Sequence, residues 1–529
     1  MKVKKLTSFF IVAIALLLSA CGQAPDKSAE QFSTQAEVPT EETPAEIGEN
    51  TLVWRVRLPL GANEGDQFDN VADIWQDSLN TLLAEKGADY TVEIKPLGIT
   101  EGFREDMINT TDELEALKAA DEPTDIISIR SSDVNGELEG YELMYPNCAE
   151  RGLLLPLEPL LEGERGNAIK EAVTQVDLDR CRTNGHIYGL FAVLPPTGYT
   201  AYSAEQMKKY NITEDELMVP IFENEALMQK IRDLSGEAPY GILSGDCQHE
   251  LGLWLINPTE AVAFGRDGVF VNVTETPEFR ERLAKLADWK EKGLVQVLSG
   301  IREDMCFAQN DAGQNFSDQP YYADANLTIG FGKEKRCSVF VVPEPDMCSI
   351  APYWGDTRQC IASWTKKQDL AEDFLVRLMT DPDIANLIQY GREGQEYTLN
   401  DGKAEISSNI SGYLRLFGDQ YTNTLITEST AMMAEDKQEY AKRFHETYEK
   451  EIPNGFQFDP ASVREQVIAT NRVFQEGNSE AAGKIRKLQF DDVDQVIAEL
   501  TADLKAAGID AVVEEANRQL AQWRADYEK

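Results

Sequence analysis

Tyr353-Trp354-Gly355-Asp356 sets two aromatic rings beside a residue without a side chain, an arrangement that lets a flat molecule stack and approach the backbone. Arg130, Ser131 and Ser132, followed by Asp133, offer a cation, two hydroxyls and a carboxylate in one short run. Tyr199, Asp246, Trp254 and Tyr322 supply the same residue types elsewhere. Aromatic faces combined with fixed polar groups suit a ring that has apolar C–H faces and hydroxyl edges. Signatures of bond-breaking chemistry are missing from the sequence: there is no Gly-x-Ser-x-Gly elbow and no Walker loop, and Gly330-x-Gly332 lacks a third glycine. Carboxylate pairs of the kind a glycosidase uses arise by chance among 92 acidic residues. His186, His249 and His445 lie far apart, and no two cysteines have Cys-x-x-Cys spacing, so neither a metal nor a cofactor is expected.

The amino terminus carries a different chemistry. Lys2, Lys4 and Lys5 precede an apolar run from Phe9 to Leu18, the pattern of a secretory signal over residues 1–20. The run is about half the length a spanning helix needs. Leu18-Ser19-Ala20-Cys21 resembles the bacterial lipobox, which implies acyl chains on Cys21 and an extracytoplasmic protein held on the cell membrane by lipid alone. Committing Cys21 to lipid leaves an odd set: Cys148, Cys181, Cys247, Cys306, Cys337, Cys348 and Cys360. Cys337, Cys348 and Cys360 are near enough in sequence to pair, and the connectivity stays open.

Removing the signal leaves about 500 residues, enough for two or three domains with sizeable cores. The net charge of −42 repels nucleic acid and excludes it as a partner. Residues 21–50 are polar and poor in large apolar side chains, so they are expected to form a tether behind the lipid.

Elements that could position the candidate site follow from periodicity. Leu52, Trp54 and Val56 alternate in a first strand, and a helix follows through Trp75, Leu79 and Leu82. Strands are expected at 90–94, 125–129, 338–342 and 359–363, the one at 338–342 ending in Pro343. Thr276 and Pro277 predict a capped helix with Phe279, Leu283, Leu286 and Trp289 on its buried face and Gly293 at its end. Another helix covers 368–379 and stops at Asp381-Pro382. Two amphipathic helices fill 493–527, carrying Val496, Leu500 and Leu504 on one and Val513, Ala516, Leu520 and Trp523 on the other, with Gly508 between them. Alternating strands and helices indicate a parallel α/β layer.

Five stretches in order resemble the extracellular solute-binding proteins of ABC importers, in the carbohydrate-associated group called family 1. They are RGLLLPLEPLLE from Arg151, NGHIYGLFAVLPP from Asn184, TETPEFRERLAKLADWKEKGLV from Thr274, the long stretch from Ser338 through DPDIANLI, and GREGQEYTLNDGK from Gly391. The likeness spans nearly the whole chain beyond the tether. One departure is Leu190-Phe191-Ala192, where many relatives have a proline directly after Tyr-Gly-Leu.

The resemblance implies an α/β, two-lobe periplasmic-binding-protein-like (type II) fold with an interlobe cleft and carboxyl-terminal helices. Crossings near Pro195 and Pro343 put 51–194 with 344–409 in lobe one, and 195–343 with 410–529 in lobe two. It also implies a non-enzymatic monomer that hands its ligand to ABC importer permease subunits. The ligand implied is a small solute, with an oligosaccharide first and a peptide or other polar solute second. The expected contacts are Arg130, Ser131, Ser132, Tyr199, Asp246, Trp254, Tyr322, Tyr353, Trp354 and Gly355. A secreted glycosidase and a surface adhesin or co-receptor are the competing classes.

Overall fold

The computed structural model describes residues 48–57, 64–97, 110–130, 143–191, 198–217, 219–243, 254–256, 258–298, 306–311, 325–331, 335–344, 357–407, 418–430, 437–439, 441–442, 453, 455–474 and 478–527. The chain opens with strands β1 (Thr51–Arg57), β2 (Thr91–Leu97) and β3 (Ile126–Arg130), then a two-residue hairpin of β4 (Arg182–Thr183) and β5 (His186–Ile187), and β6 (Gly189–Leu190). It continues through β7 (Gly198–Ser203), β8 (Tyr240–Leu243), β9 (Trp254–Ile256), β10 (Thr259–Phe264), β11 (Phe270–Asn272) and β12 (Val295–Leu298). After these come β13 (Ala308–Asp311), β14 (Ala325–Phe331), β15 (Lys335–Glu344), β16 (Thr357–Ile361), and the hairpin of β17 (Tyr397–Asn400) and β18 (Lys403–Ile406).

Two main sheets result, with orders β2-β1-β3-β16-β6 and β12-β8-β13-β7-β15-β14. In the first, β1, β2 and β3 run parallel while β16 is antiparallel to β3 and β6. In the second, β8 runs parallel to β12 and β13, and β7 runs antiparallel to β13 and β15. A separate antiparallel sheet has the order β11-β10-β9.

Each main sheet has its own core. In the first, Trp54 of β1 stacks on Trp75 of helix Glu64–Glu85 at 5.9 Å between ring centroids, and Phe374 and Tyr421 meet these rings edge-on at 5.5 Å. Such pairs contribute about 0.5–1.5 kcal/mol each beyond their buried area. The second core is centred on Trp289, which stacks on Phe222 at 5.3 Å and meets Tyr240 edge-on at 5.9 Å. Trp289 comes from helix Pro277–Glu291, and that helix begins as its sequence dictates: Thr276 Oγ1 accepts the Phe279 N–H at 3.3 Å, and Pro277 occupies the first turn. Gly508, at φ +99°, separates helices Val493–Ala507 and Ile509–Tyr527. Their apolar faces (Val496, Leu500 and Leu504, then Ile509, Val512, Ala516 and Leu520) close over the second core, with Val513 and Trp523 half-buried at its edge.

The structure departs from the expected elements at several points. β15 runs through Pro343, which pairs with Tyr199, and ends at Glu344. β16 covers Thr357–Ile361, two residues earlier than expected. Asp381-Pro382 ends one helix and begins another, Pro382–Tyr390, because the Asp381 carboxylate accepts the N–H groups of Asp383 and Ile384. The lobe boundary at 409/410 also differs. Tyr421, Leu425 and Ala441 belong to the first core, and Phe456 and Phe458 pack with the second. Polar side chains hold this segment in place: Thr422 donates to the Leu378 carbonyl, and Asn423 donates to the carbonyls of Ala172 and Met379. Hydrogen bonds of this kind leave no apolar period in a sequence.

Candidate functional site

Open α/β sheets bind ligands at the carboxyl ends of their strands. In the first sheet those ends are Arg57, Leu97 and Arg130, and β16 starts at Thr357 directly opposite Arg130. In the second they are Leu243, Leu298 and Asp311, and β7 starts at Gly198 opposite Glu344, where β15 ends. The chain passes from β6 to β7 and from β15 to β16, so both passages begin and finish at these same sheet ends. The first passage, residues 192–197, spans at most about 25 Å even when fully extended. The two sets of strand ends therefore border one cleft.

The first-lobe rim is built on a hydrogen-bonded chain. Trp54 Nε1 donates to Ser128 Oγ at 2.7 Å, and the Ser128 hydroxyl donates to Gln359 Oε1. Gln359 Nε2 reaches the carbonyls of Thr357 at 3.5 Å and Gln420 at 3.4 Å, and Thr357 Oγ1 donates to Gln420 Oε1 at 3.5 Å. Ser128, Thr357 and Gln359 are all buried. Satisfied polar groups in a buried network fix one geometry, because each would be costly to leave unpaired. The network ties β1, β3, β16 and the 418–421 turn together, with Thr357 paired directly with half-buried Arg130.

A second cluster brings together Phe191, just before the first passage, and Arg358, just after the second. Arg358 of β16 is buried, donates from Nη2 to the Arg180 carbonyl at 3.0 Å, and lies over the rings of Tyr145 at 4.7 Å and Phe191 at 5.2 Å. The Tyr145 hydroxyl accepts the N–H groups of Tyr188 (2.8 Å) and Gly189 (3.1 Å) and donates to the Cys181 carbonyl. Burial raises the phenol of Tyr145, so it stays protonated as this donation requires. Phe191 is thus a buried anchor at the end of the first sheet's last strand. A Cβ on Gly189 would fall 2.5 Å from Cys360 Sγ, so only glycine fits there.

Of the expected contact residues, Arg130 ends β3 at the cleft. Ser131, Ser132, Asp246, Tyr322, Tyr353, Trp354 and Gly355 lie outside the described residues, as does Cys21. Tyr199 occupies β7 between Asp311 and Pro343 in the ladder. Trp254 was expected just beyond a strand; it sits within β9, paired with Phe264 in the separate small sheet. Gln359, Gln420, Arg358 and Tyr145 were missed. The one signal was the polar run Thr357-Arg358-Gln359 ahead of Cys360-Ile361 in one strand. Cys360 is fully buried as a free thiol, which removes it from the expected local pairing with Cys337 or Cys348, and burial pushes that thiol up. Among the described residues no cluster of metal-ligating side chains occurs, and no helix is long and apolar enough to cross a membrane.

Comparison with curated protein sequences finds no match. Residues 453–525, the helical block over the second core, match the family described as Domain of unknown function (DUF3502). Among solved structures, the chain is similar to the N-glycan transport solute binding protein NgtS from Streptococcus pneumoniae, with TM-score 0.58 and 16% identity over 90% of this chain and 99% of that one. It is also similar to an extracellular solute-binding protein from Bifidobacterium longum subsp. infantis, with TM-score 0.50 and 13% identity over 92% and 100%. The chain has the two-lobe, periplasmic-binding-protein-like fold of these proteins, with helices at its carboxyl terminus.

Proposed function

We propose that this chain is the substrate-binding component of an ABC importer, which captures an oligosaccharide outside the cell and is held at the membrane by lipid on Cys21. The observation that carries this reading is the convergence of strand ends from both sheets on one cleft, with Arg130 at its first-lobe rim. The fold shared with NgtS supports a glycan over a peptide. In this reading Trp354, with Tyr353 and Gly355 beside it, stacks on a sugar face, while Arg130, Ser131 and Ser132 bind hydroxyls from lobe one. Tyr199, Asp246, Trp254 and Tyr322 face them from lobe two. The monomer signals occupancy to the permease by closing, which requires the ligand to bind the closed form better than the open one.

The test is calorimetry with purified protein against glycan and peptide panels. A stacked ring contributes about 1–3 kcal/mol, so Trp354→Ala is expected to weaken glycan binding roughly 5-fold to 150-fold. Mass spectrometry of the recovered glycan separates binding from hydrolysis, since a binding protein returns it intact. Binding of peptides alone, or cleavage of the glycan, overturns the reading.

A further inference from the structure

The helical block that matches a family without an assigned function, residues 453–525, meets the first lobe in two places. At its start, where the chain arrives from the first core, Gly455 has φ +88°, and a Cβ there would fall 2.9 Å from the Asp179 carbonyl oxygen and 3.4 Å from that of Arg182. Backbone thus lies on backbone, an approach that a residue without a side chain permits. At the other end, the Tyr527 ring covers Gly185, where a Cβ would fall 3.2 Å from Cδ1 and closer still to Cε1, and the Tyr527 hydroxyl donates to Asn184 Oδ1. Burial raises the phenol of Tyr527, helped by Asp526, Glu150 and Tyr188, so it stays protonated for this donation. None of these residues is a strand end that borders the cleft.

Both partners in this contact are stiff. On the first lobe, residues 179–185 run from the end of helix Gln175–Arg180 through the β4–β5 hairpin. Arg358 and Tyr145 hold them through the carbonyls of Arg180 and Cys181, and Arg182 Nε donates to Asp179 Oδ1 at 3.2 Å. On the block, Phe456 meets Trp523 edge-on at 6.2 Å, and Trp523 lies 6.2 Å from Tyr527, which brings its two ends together. Gln519 locks them: its Oε1 accepts the Asp459 N–H at 2.9 Å and its Nε2 donates to the Asp459 carbonyl at 2.8 Å. Phe456 also packs on Phe270 at 5.5 Å, which roots the block in the second core. Close-packed interiors have low compressibility, so two such bodies in contact resist being pressed closer.

We propose that this block is a spacer that sets the resting angle between the lobes, by seating Gly455 and Tyr527 on residues 179–185 of the first lobe. A short connecting passage such as 192–197 limits how far the lobes separate but leaves their angle open. Contact at two places on rigid bodies supplies that restraint. The consequence for binding rests on the closing mechanism proposed above: the resting angle fixes the fraction of molecules already in the binding-competent form, and apparent affinity scales with that fraction. The block then tunes affinity without touching the ligand.

The experiment measures the interlobe distance in the ligand-free full chain by pulsed dipolar spectroscopy, with nitroxides carried on ketone-bearing residues in place of exposed Ala84 on the first lobe and exposed Glu281 on the second. Tyr527→Ala is expected to widen the distance distribution by at least about 1.5-fold, and Gly455→Ala, whose Cβ would press on the Asp179 carbonyl, to shift its mean by about 2 Å or more. Tyr527→Ala decides the matter by itself, since Tyr527 is 38% exposed at the end of its helix and its loss leaves the second core packed. Glu514→Ala, exposed on the same helix, should match the wild type. A Tyr527→Ala distribution equal to that of the wild type overturns the proposal. So does an equal widening by Glu514→Ala, which would mean that the helix had merely loosened. No ligand is added, so failure here is distinct from failure of the glycan reading of the cleft.

Discussion

The Tyr527 hydroxyl, at the end of the last helix, lies 3.4 Å from Oδ1 of Asn184 in the turn of the β4–β5 hairpin, so a helix of the second core bears directly on the first lobe. Asn184 and Gly185 both have positive φ, 52° and 80°, the geometry of a tight two-residue turn. A Cβ on Gly185 would fall 3.0 Å from Tyr527 Cε1. Gly185→Ala is therefore expected to lose about 1–2 kcal/mol, part from backbone strain and part from the clash with Tyr527. Adding Tyr527→Ala should recover the clash portion, with a coupling of about 0.5 kcal/mol or more in a denaturation double-mutant cycle. Strict additivity would show that the two residues do not meet.

Arg358 lies over Tyr145 and Phe191 and donates to the Arg180 carbonyl, which ties β16 to the end of β6. Arg358→Ala removes a charged hydrogen bond and two cation–ring contacts, for an expected loss of about 2–4 kcal/mol in urea unfolding. Arg358→Lys should recover only part of it, since an ammonium cannot lie flat over two rings. A change within about 0.5 kcal/mol for Arg358→Ala would rule out the anchoring role.

Lys437 also makes a prediction for stability. Its folded value of about 7 lies below its ordinary 10.5. Below pH 7 the amine is charged in the folded and unfolded chains alike, and the full cost of its burial is present. Between pH 7 and 10.5 the folded amine is neutral while the unfolded one still holds a proton, so stability rises with pH across that window. Lys437→Met should stabilise the chain by on the order of a few kcal/mol at pH 6, with the gain shrinking towards pH 10.5. A gain independent of pH would refute the assignment.

Cys21 is the basis of the membrane reading. Cys21→Ala should abolish labelling by a palmitate analogue and move the protein from the membrane fraction to the medium or the soluble fraction. Wild-type protein that is unlabelled and freely secreted would end the claim.

The sequence by itself determined the local elements whose causes are local. Thr276-Pro277 starts a helix through one side-chain acceptor and one fixed φ, and Gly508 separates two helices by adopting a conformation that side chains disfavour. The alternation of Leu52, Trp54 and Val56 marks a strand because opposite faces of a strand meet different neighbours. Asn184-Gly185 carried an equally local hairpin signal that the sequence reading passed over. Only the tertiary structure decided that the chain stays with the first core as far as Ala441, that Gln359 and Gln420 bind each other at the cleft rim, and that Arg358 lies over Tyr145 and Phe191. These contacts join residues from dozens to a couple of hundred positions apart, through hydrogen bonds and ring faces that impose no periodicity. A polar residue in a strand looks the same in sequence whether it meets water or a buried partner. Lys437 is the sharpest case, since a lysine is ordinarily solvated and only the fold around it takes that water away.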